Sequence, residues 1–330
     1  MGVGSYAAPG WLISARGPLR DGTYGPADAE ELFEDATRIV IADQIEAGLD
    51  ILSDGELHRS RFVYEMFSRL EGLERVPARR KLGLGGYDTA PRFRVIGPIR
   101  APRGLGVVDE LTMLKRLAPG RHLKVALPGP LTFADPLEIG THSAGPLLDE
   151  LVALVRREID ALVAGGADFI QLDEPAWTHP PHGLSHDDGV AIINKTLAGV
   201  RARRAVHVCF GNNAGRPTAD RRMSPLRAPM ARLDCEQLVL EFANREMAEI
   251  ERLADVAARY EIAAGVIDVK NFHLESPERV ADRIAQCLQF VPRDRLWLTA
   301  DCGFSALPRG LARAKMQALV AGARIARTKL

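Results

Sequence analysis

The stretch AVHVCFGN, residues 205–212, sets an imidazole and a thiol two positions apart at the end of an apolar run. On a β-strand, side chains at i and i+2 share a face, so His207 and Cys209 project together while Val206 and Val208 point away. Two good zinc donors then line one wall, although such a pair also serves as plain core filling. Partners decide between the two. Polar residues at the C-terminal ends of other apolar runs are Ser5, Asp54, Glu56, Asp173, Glu174, Glu241, Asp268, Lys270, Asp301 and Cys302. Of these, Glu241 and Cys302 complete with His207 and Cys209 a donor set suited to four-coordinate zinc. Each residue has a structural alternative: a satisfied core histidine, two small buried hydrophobes, and an ion pair of Glu241 with Arg245. Taken together at one rim, the four point to zinc. Two thiolates and a carboxylate more than neutralise Zn²⁺, so a further thiolate bound there keeps a nucleophilic sulfur, whereas hydrolytic sites are richer in neutral histidines. Cys235 and Cys287 fall in a loop and a helix and read as structural.

The elements that must position these residues follow from periodicity. The runs ADFIQLDEP (167–175), RAVHVCF (204–210), QLVLEF (237–242), IAAGVIDV (262–269) and RLWLTADC (295–302) each read as a buried parallel strand. Between them lie helical patterns. Residues 147–164 end at Gly165-Gly166, 185–200 open on Ser185 as N-cap, 276–291 open on Ser276-Pro277, and a last helix spans about 308–326. The first half predicts strands at VGSY (3–6), LDILSDGE (49–56) and HLKVALPGP (122–130), with a helix from about Asp28 to Ala47. Eight strands, most followed by a helix, define a single-domain (β/α)8 TIM barrel over residues 1–330, whose chemistry sits at the C-terminal ends of the strands. The stretch between Glu56 and Arg121 exceeds a simple crossover and predicts an excursion, with a helix near 61–71 and a two-stranded element near 92–100. LGLGG at 82–86 lacks the trailing Lys-Ser/Thr of a phosphate loop and reads as a turn.

Acidic and basic residues number 43 each among 330, so no global field favours nucleic acid or an anionic membrane. The N-terminal stretch lacks the charged and apolar regions of a signal peptide, no apolar run reaches membrane-spanning length, and the four cysteines are widely spaced. The expected location is the cytoplasm, with the thiols free or metal-bound.

The segments SDGE (53–56), IQLDEPAW (170–177), HVC (207–209), LEFANRE (240–246), GVIDVK (265–270), ESPERVADRI (275–284) and RLWLTADCGF (295–304) resemble, in matching order, the catalytic barrel of cobalamin-independent methionine synthase. The resemblance covers nearly the whole chain. It implies zinc-dependent transfer of a methyl group to the thiol of homocysteine, with His207, Cys209, Glu241 and Cys302 as zinc ligands. It also implies that Ser5 helps to hold the homocysteine carboxylate and that Glu56 and Asp173 hold its ammonium group. For the two acids the structural alternative is pairing with Arg59 or Arg61. The chemistry agrees, because a thiol with a pKa near ~8.5 must lose its proton before it attacks an alkyl donor.

The donor side departs from the family. The folate-using members have two barrels, and this chain has room for one. Where they carry a pterin-supporting tryptophan after the GP turn, LPGPLTFADP (127–136) offers only Phe133; His179 follows DEPA in place of an acid; and Lys270 replaces a histidine. Lys270 and Asp268 are candidate catalytic residues, Lys270 to steer an anionic substrate or donate a proton, with pairing to Asp268 or Glu275 as the alternative. The methyl donor is then a methylated corrinoid protein, another small methylated molecule or an unusual folate. The arginines of residues 211–229 (Arg216, Arg221, Arg222, Arg227) form either a receiving surface for it or a solvated loop. Two other functions fit parts of the pattern. Alkyl transfer to another thiol such as coenzyme M uses the same metal chemistry but leaves Glu56 and Asp173 without an ammonium, and a metal-free tetrapyrrole-binding barrel leaves the four donors unexplained.

Overall fold

The computed structural model describes residues 1–59, 62–77, 90–140, 143–212 and 215–329. Its strands are β1 (Ile51–Leu52), β2 (Glu71–Val76), β3 (Arg92–Arg100), β4 (His122–Leu123), β5 (Val125–Pro128), β6 (Leu137–Glu138), β7 (Phe169–Asp173), β8 (Arg203–Val208), β9 (Gln237–Glu241), β10 (Glu261–Ile267) and β11 (Leu296–Ala300). A six-stranded parallel sheet runs β11-β10-β9-β8-β7-β5, and β1 pairs in parallel with β4. β4 and β5 are one passage parted only at Lys124, whose N–H donates to Leu52 O at 2.9 Å.

Residues 1–6 take the remaining place in the ring. Met1 N donates to Leu298 O at 3.0 Å, Tyr6 N to Gly55 O at 2.9 Å, and Ser5 O accepts from Phe304 N at 2.8 Å. The strand expected at 3–6 therefore occupies its position without forming a ladder. Side chains take its carbonyls instead: Lys124 Nζ donates to Gly2 O (2.7 Å), Gln171 Nε2 to Val3 O (3.0 Å) and Ser53 Oγ to Gly4 O (3.2 Å). The result is the (β/α)8 barrel that the alternation predicts.

The helices form where caps and apolar stripes place them. Pro26–Ala47 starts on a proline and stops at Gly48, whose φ of 86° only glycine adopts freely. His186–Leu197 carries a reciprocal cap in which Ser185 Oγ accepts from Asp188 N and Asp188 Oδ2 accepts from Ser185 N. Ala144–Ala164, Pro277–Leu288 and Arg309–Thr328 match the remaining expectations, and Ser276 Oγ accepts from Arg279 N. The longer helices Gly10–Asp21 and Val107–Leu117 were not foreseen, nor were the short ones at Pro130–Ala134, Arg227–Met230 and Ala254–Ala257; Pro18 lies inside the first and disguises it.

The excursion differs in detail. The helix expected near 61–71 is shorter, Phe62–Met66 followed by a 3-10 turn at Phe67–Arg69. The element at 92–100 is a single strand, β3, the centre of a three-stranded sheet between antiparallel β2 and parallel β6. Its neighbours take up its backbone hydrogen bonds, while its apolar face packs on the core: Phe93 stacks on Phe67 with ring centroids 4.2 Å apart, and Val95 and Ile99 are buried. LGLGG at 82–86 lies outside the described residues.

Inside the barrel, strand alternation makes layers. Val3, Ile51, Phe169, Ala205, Val239 and Ala263 form an apolar floor, and two residues further along the strands stand Gln171, His207, Glu241 and Gly265. The main core lies between the sheet and the helices. No helix among the described residues is long and apolar enough to cross a membrane.

Candidate metal centre and substrate site

His207 lies on β8 and Cys209 just beyond its end, and Cys302 follows β11. One ligand atom from each lies within 4.8 Å of the others, and the two sulfurs are 3.9 Å apart. The register of β7 and β8 pairs Asp173 with His207, whose Nδ1 lies 2.9 Å from Asp173 Oδ1. His207 Nε2 is buried without a hydrogen-bond partner, an arrangement that costs free energy unless something binds there. Burial draws His207 down, but the hydrogen bond and charge of Asp173 outweigh it and leave its pKa raised. The two sulfurs are hydrogen-bonded: that bond lowers Cys302, assisted by the charges of His207 and Lys270 against burial, and raises Cys209 together with burial.

Glu241 ends β9 beside this cluster but outside the group of three. Lys270 Nζ donates to both its oxygens at 2.7 Å, and Phe210 N donates to Oε2 at 3.1 Å. Both side chains are fully buried. Lys270 thus pairs with Glu241 rather than with Asp268 or Glu275, and Arg245 pairs with Glu249. Asp268 ties loops together, accepting from Lys270 N at 2.7 Å, from Asn244 Nδ2 and from Asn271 Nδ2. Asp301 accepts from the N–H groups of Phe242, Ala243 and Asn244, and Glu174 accepts from Leu131 N, Thr132 N and Thr132 Oγ1. Both shape the mouth as backbone acceptors.

Glu56 follows Gly55 in a left-handed turn (φ 55° and 77°) that lays its carboxylate against Gly4. A Cβ on Gly4 would stand 2.1 Å from Glu56 Oε1, so a larger residue there would displace the carboxylate. Glu56 pairs with Arg59 at 3.3 Å, and Arg59 is clamped by Glu110 at 2.6 Å; Arg61 lies outside the described residues. Burial raises the pKa of Glu56, Arg59 opposes this, and Asp173 adds to it. Two buried carboxylates that repel each other make a place for a cation. Ser5 stands against the Cys302 loop: its Oγ lies 3.3 Å from Ser305 Oγ, and a Cβ on Gly303 would meet it at 1.8 Å.

On the donor side Phe133 is wholly buried against Phe67, and His179 faces Asp135 at 3.6 Å. Arg221 contacts Asn244, Arg222 pairs with Asp220 and Arg227 with Asp255, as in a solvated loop. Glu110, Lys124 and Gln171 had no role in the sequence reading, and Arg59 entered it only as the structural partner that it proves to be for Glu56. Gln171 alone carried a usable signal, standing two residues before Asp173 on one strand face. A cavity of about 930 Å³ opens at the other end of the barrel, among Met1, Asp50, Phe169, Arg203 and Trp297, away from every candidate residue.

A single-domain (β/α)8 barrel with a histidine and two cysteines gathered at its C-terminal mouth defines the class. The chain belongs to the family described as cobalamin-independent synthase, catalytic domain, which matches residues 1–325. It is 29% identical over 329 residues to a methionine synthase of Saccharolobus solfataricus, covering 99% of this chain and 94% of that protein. A methionine synthase of Sulfurisphaera tokodaii is 30% identical over 334 residues, with 99% and 92% covered. Among solved structures, a B12-independent methionine synthase from Shewanella sp. W3-18-1 in complex with selenomethionine superimposes with a TM-score of 0.85 at 27% identity, covering 99% of this chain and 97% of that one. A B12-independent methionine synthase described as putative, from Listeria monocytogenes, shares the fold at a TM-score of 0.72 and 19% identity, with 100% and 96% covered.

Proposed function

We propose that the protein is a zinc-dependent methyltransferase that moves a methyl group onto the thiol of homocysteine to give methionine. The observation that carries this reading is the partnerless, buried His207 Nε2 beside the paired sulfurs of Cys209 and Cys302. This donor set suits zinc: one imidazole nitrogen with its other nitrogen already engaged, and two thiols near enough to hydrogen-bond to each other. His207, Cys209 and Cys302 would hold the ion, with Glu241 as the fourth donor once Lys270 yields one of its two contacts. Bound zinc would supply the positive charge that keeps an acceptor thiol in its thiolate form.

The remaining roles fall to the chain itself. Glu56 and Asp173 would hold the substrate ammonium, and Ser5 its carboxylate, which together place the amino-acid end of homocysteine against residues 1–6. Lys270 and Asp268 would act at the reacting end, Lys270 by balancing the charge of Glu241 and the thiolates and Asp268 by holding the loop that carries Lys270. A sulfonate thiol such as coenzyme M would bring no ammonium to Glu56 and Asp173, which favours homocysteine. The selenomethionine held by the Shewanella relative has the shape of the expected product. The three donor classes, methylated corrinoid protein, small methylated molecule and folate, are separated by supplying each with homocysteine and measuring methionine.

Metal analysis by mass spectrometry with zinc-edge X-ray absorption tests the acceptor half. Stoichiometric zinc that gains a sulfur neighbour when homocysteine is added is expected. Absence of zinc after controlled reconstitution would make the cluster ordinary core and end this reading.

A further inference from the structure

Four buried side chains form an unbroken line of hydrogen bonds across the barrel interior. Lys124 Nζ donates to Gln171 Oε1 at 2.6 Å, Gln171 Nε2 donates to Asp173 Oδ1 at 2.7 Å, and Asp173 Oδ1 lies 2.9 Å from His207 Nδ1. Their exposures are 1%, 0%, 3% and 4%. Water therefore does not compete for these contacts.

The direction of the line is set by groups with a single role. Gly2 O and Val3 O can only accept, so Lys124 Nζ donates to the first and Gln171 Nε2 to the second. The amide of Gln171 accordingly has one orientation, oxygen to Lys124 and nitrogen to Asp173. Asp173 Oδ1 receives that N–H and, as a carboxylate oxygen, accepts from His207 as well. The imidazole proton is thereby placed on Nδ1 and Nε2 is left bare.

We propose that Gln171 is a positioning residue: braced by Lys124, it holds the Asp173 carboxylate so that His207 keeps its proton on Nδ1 and offers Nε2 to a metal. The inference rests on the metal-centre reading for its purpose, though not for its geometry. Asp173 then has two duties, orienting His207 through Oδ1 while its charge serves the substrate ammonium. Without Gln171, Oδ1 loses one of its two donors and the carboxylate is free to turn towards other partners.

The test begins with metal-free protein labelled with ¹⁵N in its histidines, in buffer alkaline enough to keep the ring neutral, with His207 assigned by comparison with His207→Gln. Long-range proton–nitrogen spectra should show the wild-type ring protonated at Nδ1. In Gln171→Met the two tautomers should mix, and zinc, measured by competition with a chromophoric chelator, should bind about 10- to 100-fold more weakly. A role in packing alone would lower the melting temperature and leave the tautomer untouched. A wild-type ring protonated at Nε2, or a Gln171→Met protein that keeps both the wild-type tautomer and the wild-type zinc affinity, would overturn the proposal. If the tautomer responds as expected but neither protein binds zinc, the positioning role stands and the metal-centre reading falls. Where Gln171→Met does not fold, Lys124→Met replaces it: loss of the brace should mix the tautomers too, and an unchanged Nδ1-protonated ring would count against the proposal.

Discussion

Cys209 is buried and Cys302 half-buried, and of the two it is Cys302 that is drawn towards its thiolate. Serine in its place keeps the shape and a hydrogen bond but loses the soft, readily ionised donor. Cys302→Ser should therefore weaken zinc binding by more than the ~10- to 100-fold typical of outer partners and abolish methyl transfer, while circular dichroism and melting temperature stay close to wild type. Metal analysis of the purified variant decides this; full zinc and activity would remove Cys302 from the site. The pairing of Lys270 with Glu241 belongs to the same scale, since burying a carboxylate with no exposed surface is costly without an ammonium or a metal beside it.

At the scale of elements, the site is made by chain segments that come together only at the mouth. Residues 1–6 and the loop after β11 touch through Ser5 and Gly303, and the contact is so close that Gly303 has no room for a methyl group. Gly303→Ala should cost about 1–3 kcal/mol of stability as an overpacked contact and push Ser5 away from Ser305. We expect weaker homocysteine binding with zinc content retained, read by isothermal titration and metal analysis. Unchanged homocysteine affinity would separate Ser5 from substrate binding. The same logic explains why residues 1–6 form no ladder: their carbonyls are committed to Lys124, Gln171 and Ser53, which places the segment by side chains rather than by strand pairing.

For the molecule as a whole, a lysine inside the barrel links stability to pH. Burial lowers the pKa of Lys124 from 10.5 to about 7, against the pull of Asp173 and Glu56. Between those two values the unfolded chain holds a proton that the folded protein has released, so this group makes stability rise with pH across the interval and adds no slope below it. Chemical denaturation at a series of pH values should show that rise in the wild type and a flatter profile in Lys124→Met. Equal slopes in the two proteins would mean that Lys124 stays charged in the barrel.

The sequence by itself determined the barrel, because its strands are buried on both faces and its helices carry an apolar stripe and caps; these are local patterns that survive without tertiary information. It also determined which residues could meet at the mouth, since in a parallel barrel every strand ends on the same side. Strand alternation made His207 and Cys209 neighbours on one wall, and the end of β11 brought in Cys302. What the tertiary structure alone decided was partnership. The sequence offered Lys270 two neighbouring acids, Asp268 and Glu275, and the approach of β9 and β10 gave it Glu241 instead. Asp173 was legible as a strand-end acid, but its bond to His207 depends on the register between β7 and β8, and its second donor on the rotamer of Gln171. The three-stranded excursion and the unladdered first segment were hidden for the same reason. Register, rotamer and the fate of each carbonyl depend on contacts between residues far apart in the chain, and no local spacing records them.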